Sequence, residues 1–239
     1  MNIIWVTETQ DSDLDGIQDD QGFTDLLTAE GHTVDVRLDY WSELDLEPNK
    51  VDELNAADLV IVSRSVSSGN FDESDEPALW NSVTAPMIQM STYLVRANRW
   101  LWVNTNDVND VDALLMAVDT SHPVFDGVTL EMGTIVIAYD NTVSGGLTTF
   151  PSTIDVGNGT LIAQTFGIDC AAIVEWDAGV EMYPGLGAIA GGPRMFFACG
   201  SHEEDAAGVD VGPQGGYNLT ADGELMFRNA VNYMLSAGQ

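Results

Sequence analysis

Asn2-Ile3-Ile4-Trp5-Val6-Thr7-Glu8 opens the chain as a continuous apolar run that turns polar only at its end. A run of this length without alternation suits a strand covered on both faces, as in a parallel sheet. Working outward, Gly22–Glu30 sets Phe23, Leu26, Leu27 and Glu30 at helical spacing, with Gly31 to close the helix. His32–Asp39 then places Val34 and Val36 on one side of a second strand, and Lys50–Ala57 forms a short helix through Val51 and Leu54. Asp58–Ser63 is the third buried strand and Pro86–Ser91 the fourth. Residues 65–76 read as a loop, and Ala78–Val83 as a short helix. Asp110–Val118 reads as a helix through Val111, Leu114, Leu115 and Val118. Four further strands are expected at Thr134–Tyr139, Thr160–Thr165, Ala171–Trp176 and Arg194–Cys199. Thr220 caps a final helix, with Asp222 and Glu224 in its first turn and Phe227, Ala230, Val231 and Met234 as its buried stripe. Strands alternating with helices predict a single α/β domain with a doubly wound, mainly parallel sheet over residues 1–239. No internal repeat or linker divides it.

Between the first strand and the first helix lies Asp11-Ser12-Asp13-Leu14-Asp15-Gly16-Ile17-Gln18-Asp19-Asp20. Acids at alternate positions aim several carboxylates at one centre, and a glycine permits the sharp turn between them. The loop resembles the EF-hand calcium loop and, more closely, the repeats of thrombospondin type 3 and dockerin modules. Asp11, Asp13, Asp15, the Ile17 carbonyl and Asp19 take the ligand places that this resemblance implies. Gly22 stands where an EF-hand has its bidentate Glu, so the remaining ligand is expected from Asp20, or from Asp72, Glu73, Asp75 or Glu76. Ca2+ is the expected ion.

Composition narrows the partners. With 38 acids against 7 bases the net charge is −31, which repels nucleic acid and anionic membranes and favours cation binding. An apolar fraction of 45 % places the chain among globular proteins, and no run is long enough to span a bilayer. Residues 1–20 lack a basic start followed by an apolar stretch, so they contain no signal peptide. The acidity fits a marine, halophilic or secreted protein. An extracellular or cell-surface location is expected, with the cytoplasm of a halophile as the alternative. Cys170 and Cys199 sit in apolar, strand-like runs and are expected as buried thiols.

Three stretches carry a wider likeness. Ser121-His-Pro-Val-Phe-Asp-Gly-Val128 resembles an HPI-x-x-G stretch; Arg194-Met-Phe-Phe-Ala-Cys-Gly-Ser-His-Glu-Glu204 resembles a strand and turn ending in G-H; Phe227, Asn229, Ala230 and Tyr233 resemble a closing L-x-x-N-A helix. Together they resemble the trehalose-utilisation (ThuA-like) branch of the class I glutamine amidotransferase-like superfamily. The resemblance implies a flavodoxin-like sheet and an H-x-E pair after a late strand, here His202 and Glu204.

It also implies a cysteine nucleophile on a tight turn. The fourth strand instead ends in Gln89-Met90-Ser91-Thr92-Tyr93, with no cysteine and no flanking glycines. Amidotransferase activity is therefore not expected. Hydrolase-type chemistry on a small or carbohydrate-derived substrate is, with His202 as base, Glu204 as its orienter and Ser91 as nucleophile. The competing reading is a non-catalytic binding or accessory module, and a third is catalysis by the cation itself.

Arg64, Arg96 and Arg99 fall at or beyond the ends of the third and fourth strands and form a candidate anionic-substrate site; pairing with local acids is the alternative. Trp41, Trp80, Trp100, Trp102 and Tyr93 lie near the same edge, where aromatic rings stack on sugars but more often fill a core. His122, ahead of Pro123, is expected to be structural.

Overall fold

The computed structural model describes residues 1–9, 11, 14–38, 48–140, 142–143, 147–202 and 214–238. Its strands are β1 (Asn2–Thr7), β2 (Thr33–Leu38), β3 (Leu59–Val62), β4 (Met87–Gln89), β5 (Val108–Val111), β6 (Leu115–Ala117), β7 (Ile135–Val136), β8 (Thr148–Pro151), β9 (Thr160–Thr165), β10 (Ala171–Trp176) and β11 (Arg194–Phe197). Its helices are α1 (Gln21–Ala29), α2 (Pro48–Asn55), α3 (Glu76–Ser82), α4 (Thr92–Val95) and α5 (Ala221–Ala237).

Nine strands make one sheet in the order β2-β1-β3-β4-β11-β10-β9-β6-β7. From β2 to β11 every pairing is parallel; from β11 to β7 every pairing is antiparallel. The parallel arrangement expected of the whole sheet thus holds for its first part. The second part is antiparallel, because among the described residues no α-helical crossover joins its strands: β6–β7, β9–β10 and β10–β11 are neighbours in both chain and sheet, and β6 joins β9 across the gap. β5 and β8 form a separate two-stranded sheet.

Helices cover both faces. Phe23 of α1 stacks near Trp5 and meets Phe227 of α5 edge-on, and Phe227 meets Phe197. On the opposite face Trp80 of α3 stacks with Trp100, which leads to Trp102 and then Trp176. These tryptophans are at most 2 % exposed, so they fill the core and offer no platform to a sugar. Trp41 lies outside the described residues. Burying side chains of this size contributes about 1.5–3 kcal/mol each. Arg194, at the start of β11 and fully buried, donates to the carbonyls of Asn81, Val83 and Ala85, where α3 ends.

Two expectations need correction. Asp110–Val118 is not helical: β5 ends at Val111 and β6 begins at Leu115. Leu115 and Ala117 are buried while Leu114 and Val118 are exposed, which is the period of a strand. Val36 is also exposed, because β2 is an edge strand covered on one side only. The termini of α1 and α5 match expectation closely. Gly31 follows α1 at φ +89°, and the Thr220 hydroxyl accepts from the Gly223 amide. Cys170 and Cys199 are buried free thiols. No described helix is long and apolar enough to cross a membrane.

Candidate active site

Chain order reverses between β1 and β3, since β2 lies on one side of β1 and β3 on the other. The crevice beyond the carboxyl ends of strands at such a reversal is where open α/β sheets hold ligands. Four neighbouring parallel strands deliver residues to that edge: Glu8 after β1, Arg64 after β3, Ser91 after β4 and His202 after β11.

Asp20 anchors the floor. It is 2 % exposed, and its Oδ2 accepts from the Trp5 indole at 2.8 Å, the Thr7 hydroxyl at 2.7 Å and the Ser63 hydroxyl at 2.5 Å. Burial raises its pKa, and the three donors oppose that rise. Asp20 therefore ties the loop to β1 and β3, away from the exposed turn that precedes it. In that turn the Asp11 carboxylate accepts from the Asp15 and Gly16 amides at 3.0 and 2.9 Å, and Asp15 accepts from the Ile17 amide at 2.8 Å. Gly16 has φ +85°. Asp13 lies outside the described residues. Among the described residues no three His, Cys, Asp or Glu side chains converge on one point. Asp72 is ion-paired with Arg99, and Glu76 accepts from the Trp80 indole.

His202 meets a carboxylate from a distant strand. Its Nδ1 lies 3.1 Å from Oδ1 of Asp110 on β5 and 3.4 Å from the Thr149 hydroxyl on β8. The Thr149 hydroxyl donates to the same Asp110 oxygen at 2.7 Å. The backbone locks this in place: the His202 amide donates to the Leu147 carbonyl, and the Thr92 hydroxyl donates to the Thr149 carbonyl. A carboxylate on Nδ1 fixes the tautomer in which Nε2 carries the lone pair. Glu204 lies outside the described residues.

Ser91 ends β4 as expected, but its hydroxyl is sealed from solvent and makes no hydrogen bond among the described residues. Its amide donates to the Gln89 side chain.

Asp110 and Thr149 were not among the residues expected to act. Asp110 lay in the misread helix. The β-branched Thr148-Thr149 pair before Phe150 was the available strand signal, and nothing local links it to residue 202.

The arginines divide. Arg64 is buried with its guanidinium 4.8 Å from the Tyr93 ring centroid, and Arg96 lies 5.0 Å from the same centroid. Arg99 pairs with Asp72 at 2.9 Å. A cavity of about 440 Å3 opens beside Tyr93, Ser68 and Asn70. A larger one, about 700 Å3, lies between α3 and residues 186–191, with Arg99 in its wall. His122 is structural: its Nδ1 accepts from the Val124 amide, and its Nε2 lies 3.6 Å from Glu175.

No protein-family model matches the chain, and a search of curated proteins returned no match.

Proposed function

We propose that this chain is a ThuA-like member of the class I glutamine amidotransferase-like superfamily. Its flavodoxin-like parallel half carries hydrolase-type chemistry on a small or carbohydrate-derived substrate. The observation that supports this best is the 3.1 Å approach of His202 Nδ1 to Asp110 Oδ1 at the carboxyl edge of the sheet. In this reading Asp110 replaces Glu204 as the orienting carboxylate. His202 Nε2 accepts a proton from a water molecule as its oxygen attacks the substrate. Asp110 stabilises the imidazolium that forms, and the proton passes from Nε2 to the leaving group. Ser91 has no part in this scheme, because its hydroxyl is enclosed.

The calcium reading stands beside it. Asp11, Asp15, Asp19 and the Ile17 carbonyl, with Asp13, supply only hard oxygen donors, which suits Ca2+. The ion would hold the 11–19 turn against the sheet edge, outside the proton-transfer steps. An acidic surface suits an extracellular or salt-rich setting.

The test is turnover of a panel of esters, amides and glycosides by the wild type, His202→Ala and Asp110→Asn. Both variants should lose about 100-fold or more in kcat, the scale of general-base catalysis. Equal turnover by all three would remove the reading. The burial of Ser91 favours one competitor, a non-catalytic binding module: ligand binding without turnover would identify it.

A further inference from the structure

Arg96 and Arg99 converge on one hydroxyl. Arg96 Nη2 lies 3.5 Å and Arg99 Nε 3.4 Å from Ser68 Oγ. The other partners of Arg96 are the carbonyls of Tyr93, at 2.9 Å, and Asn106, at 3.4 Å, together with the Tyr93 ring. All are neutral; among the described residues no carboxylate pairs with it. Asp72 pairs directly with Arg99 and acts on Arg96 only at longer range, so two positive charges share one carboxylate among the described residues. The chain has 38 acids and a single lysine, so ample carboxylate exists to neutralise an arginine placed for stability alone. Partial burial, and then the neighbouring Arg99, push the Arg96 pKa down, against the opposing pull of Tyr93 and Asp72.

The space beside this pair is polar. Val66, Ser67, Ser68, Gly69, Asn70, Tyr93 and Gln214 line the cavity of about 440 Å3; Arg96 and Arg99 stand behind that wall, both against Ser68. That volume falls within the range of about 300–1,000 Å3 typical of small-ligand sites. Asn70 and Gln214 are held in place, Asn70 by Glu8 and Gln214 by the Val66 carbonyl. Tyr93 follows Thr92 directly, and Thr92 hydrogen-bonds the Thr149 backbone whose side chain contacts His202.

We infer that Arg96, with Arg99 and Ser68, binds the oxyanion of a monosaccharide-sized substrate, a carboxylate or phosphoryl group, in the cavity beside Tyr93. Planar guanidinium forks match either group, and neutral carbonyl partners leave the Arg96 charge for the ligand. The inference names the substrate class of the site proposed above, and it rests on that reading for its role in turnover.

Calorimetric titration of the whole chain with sodium glucuronate, glucose 6-phosphate and glucose tests it. At least one anion should bind about tenfold or more tightly than glucose, and the better anion distinguishes carboxylate from phosphoryl. Arg96→Gln should weaken that anion about tenfold or more, while Arg96→Lys, which keeps the charge and loses the fork, falls between. If Arg96→Gln does not fold, by near-ultraviolet circular dichroism, Arg96→Lys decides alone. His202→Ala should keep the anion affinity, so loss of turnover and loss of binding separate. Glucose binding as tightly as the better anion, neither anion binding, or an unaltered affinity in the folded Arg96 variants would overturn the inference.

Discussion

Oδ2 of Asp20 gathers an indole and two hydroxyls from β1 and from the residue after β3, all of them buried. An acceptor with three donors is hard to replace. Asp20→Ala orphans all three, and each buried donor left unpaired costs about 1–3 kcal/mol. Some donors can re-pair: Thr7 already reaches the Ser65 carbonyl at 3.2 Å. The expected loss is therefore on the order of 3 kcal/mol rather than the full sum. Asp20→Asn keeps a carbonyl acceptor and should lose less. Urea midpoints at constant slope measure both; an alanine variant unfolding where the wild type does would refute this role. The sequence pattern cannot tell Asp20 from Asp19. Both are acids closing one acidic run, and what turns one inward is a hydroxyl 43 residues away.

Among the elements, α5 was legible to its cap because cap, acidic first turn and apolar stripe are all local signals. Its glycine was not. A Cβ at Gly223 would lie 2.0 Å from the Ala138 carbonyl oxygen, so the helix approaches its neighbour at a distance only glycine permits. Two effects oppose each other in Gly223→Ala. Helix propensity favours alanine by about 1 kcal/mol, and overpacking against backbone costs typically about 1–3 kcal/mol. Contact with a fixed carbonyl decides the sign, so a net loss of roughly 1–2 kcal/mol is expected in thermal unfolding. A stabilised variant would show that α5 can shift without cost.

Glu175 on β10 joins the same helix to the turn at His122. The His122 contact lowers its pKa first, burial opposes, and the Tyr233 hydroxyl lowers it further. A depressed carboxyl pKa gives stability that is present above the unfolded value near 4.5 and is lost as pH falls through the folded one. Glu175→Gln should therefore lower the melting temperature at neutral pH and flatten the acid side of the profile, the two curves converging as pH falls through the folded value. A parallel acid limb in the variant would contradict this.

The misread stretch 110–118 failed for a related reason. Val111, Leu114, Leu115 and Val118 satisfy helical spacing, yet pairing with β9 and β7 sets a period of two from Leu115 onward. Tertiary pairing overrode local pattern, and Asp110, the carboxylate 3.1 Å from His202, was hidden with it.

For the whole molecule, charge and calcium make separable claims. A net charge of −31 is compressed by folding and relaxed by unfolding, so screening should stabilise the chain. The screening length falls from about 10 Å at 0.1 M salt to about 3 Å at 1 M, and melting temperature should rise over that range. Exposed pairs such as Arg37 with Asp35 and Glu53 weaken with salt but are worth little, so they do not reverse the trend. A calcium site acts differently, through affinity for the folded state. At 1 M NaCl, where general screening is nearly complete, a further rise on adding Ca2+ at about 100 times its Kd amounts to about 2.7 kcal/mol of linkage. Mg2+, which demands a tighter octahedral shell, should give less. Asp11→Asn with Asp15→Asn should abolish the Ca2+ increment and leave the NaCl response, because two fewer charges out of 38 acids hardly alter the field. A Ca2+ effect that vanishes at 1 M NaCl, or that survives in the double variant, would assign it to counter-ion screening and not to the turn between the first strand and the first helix.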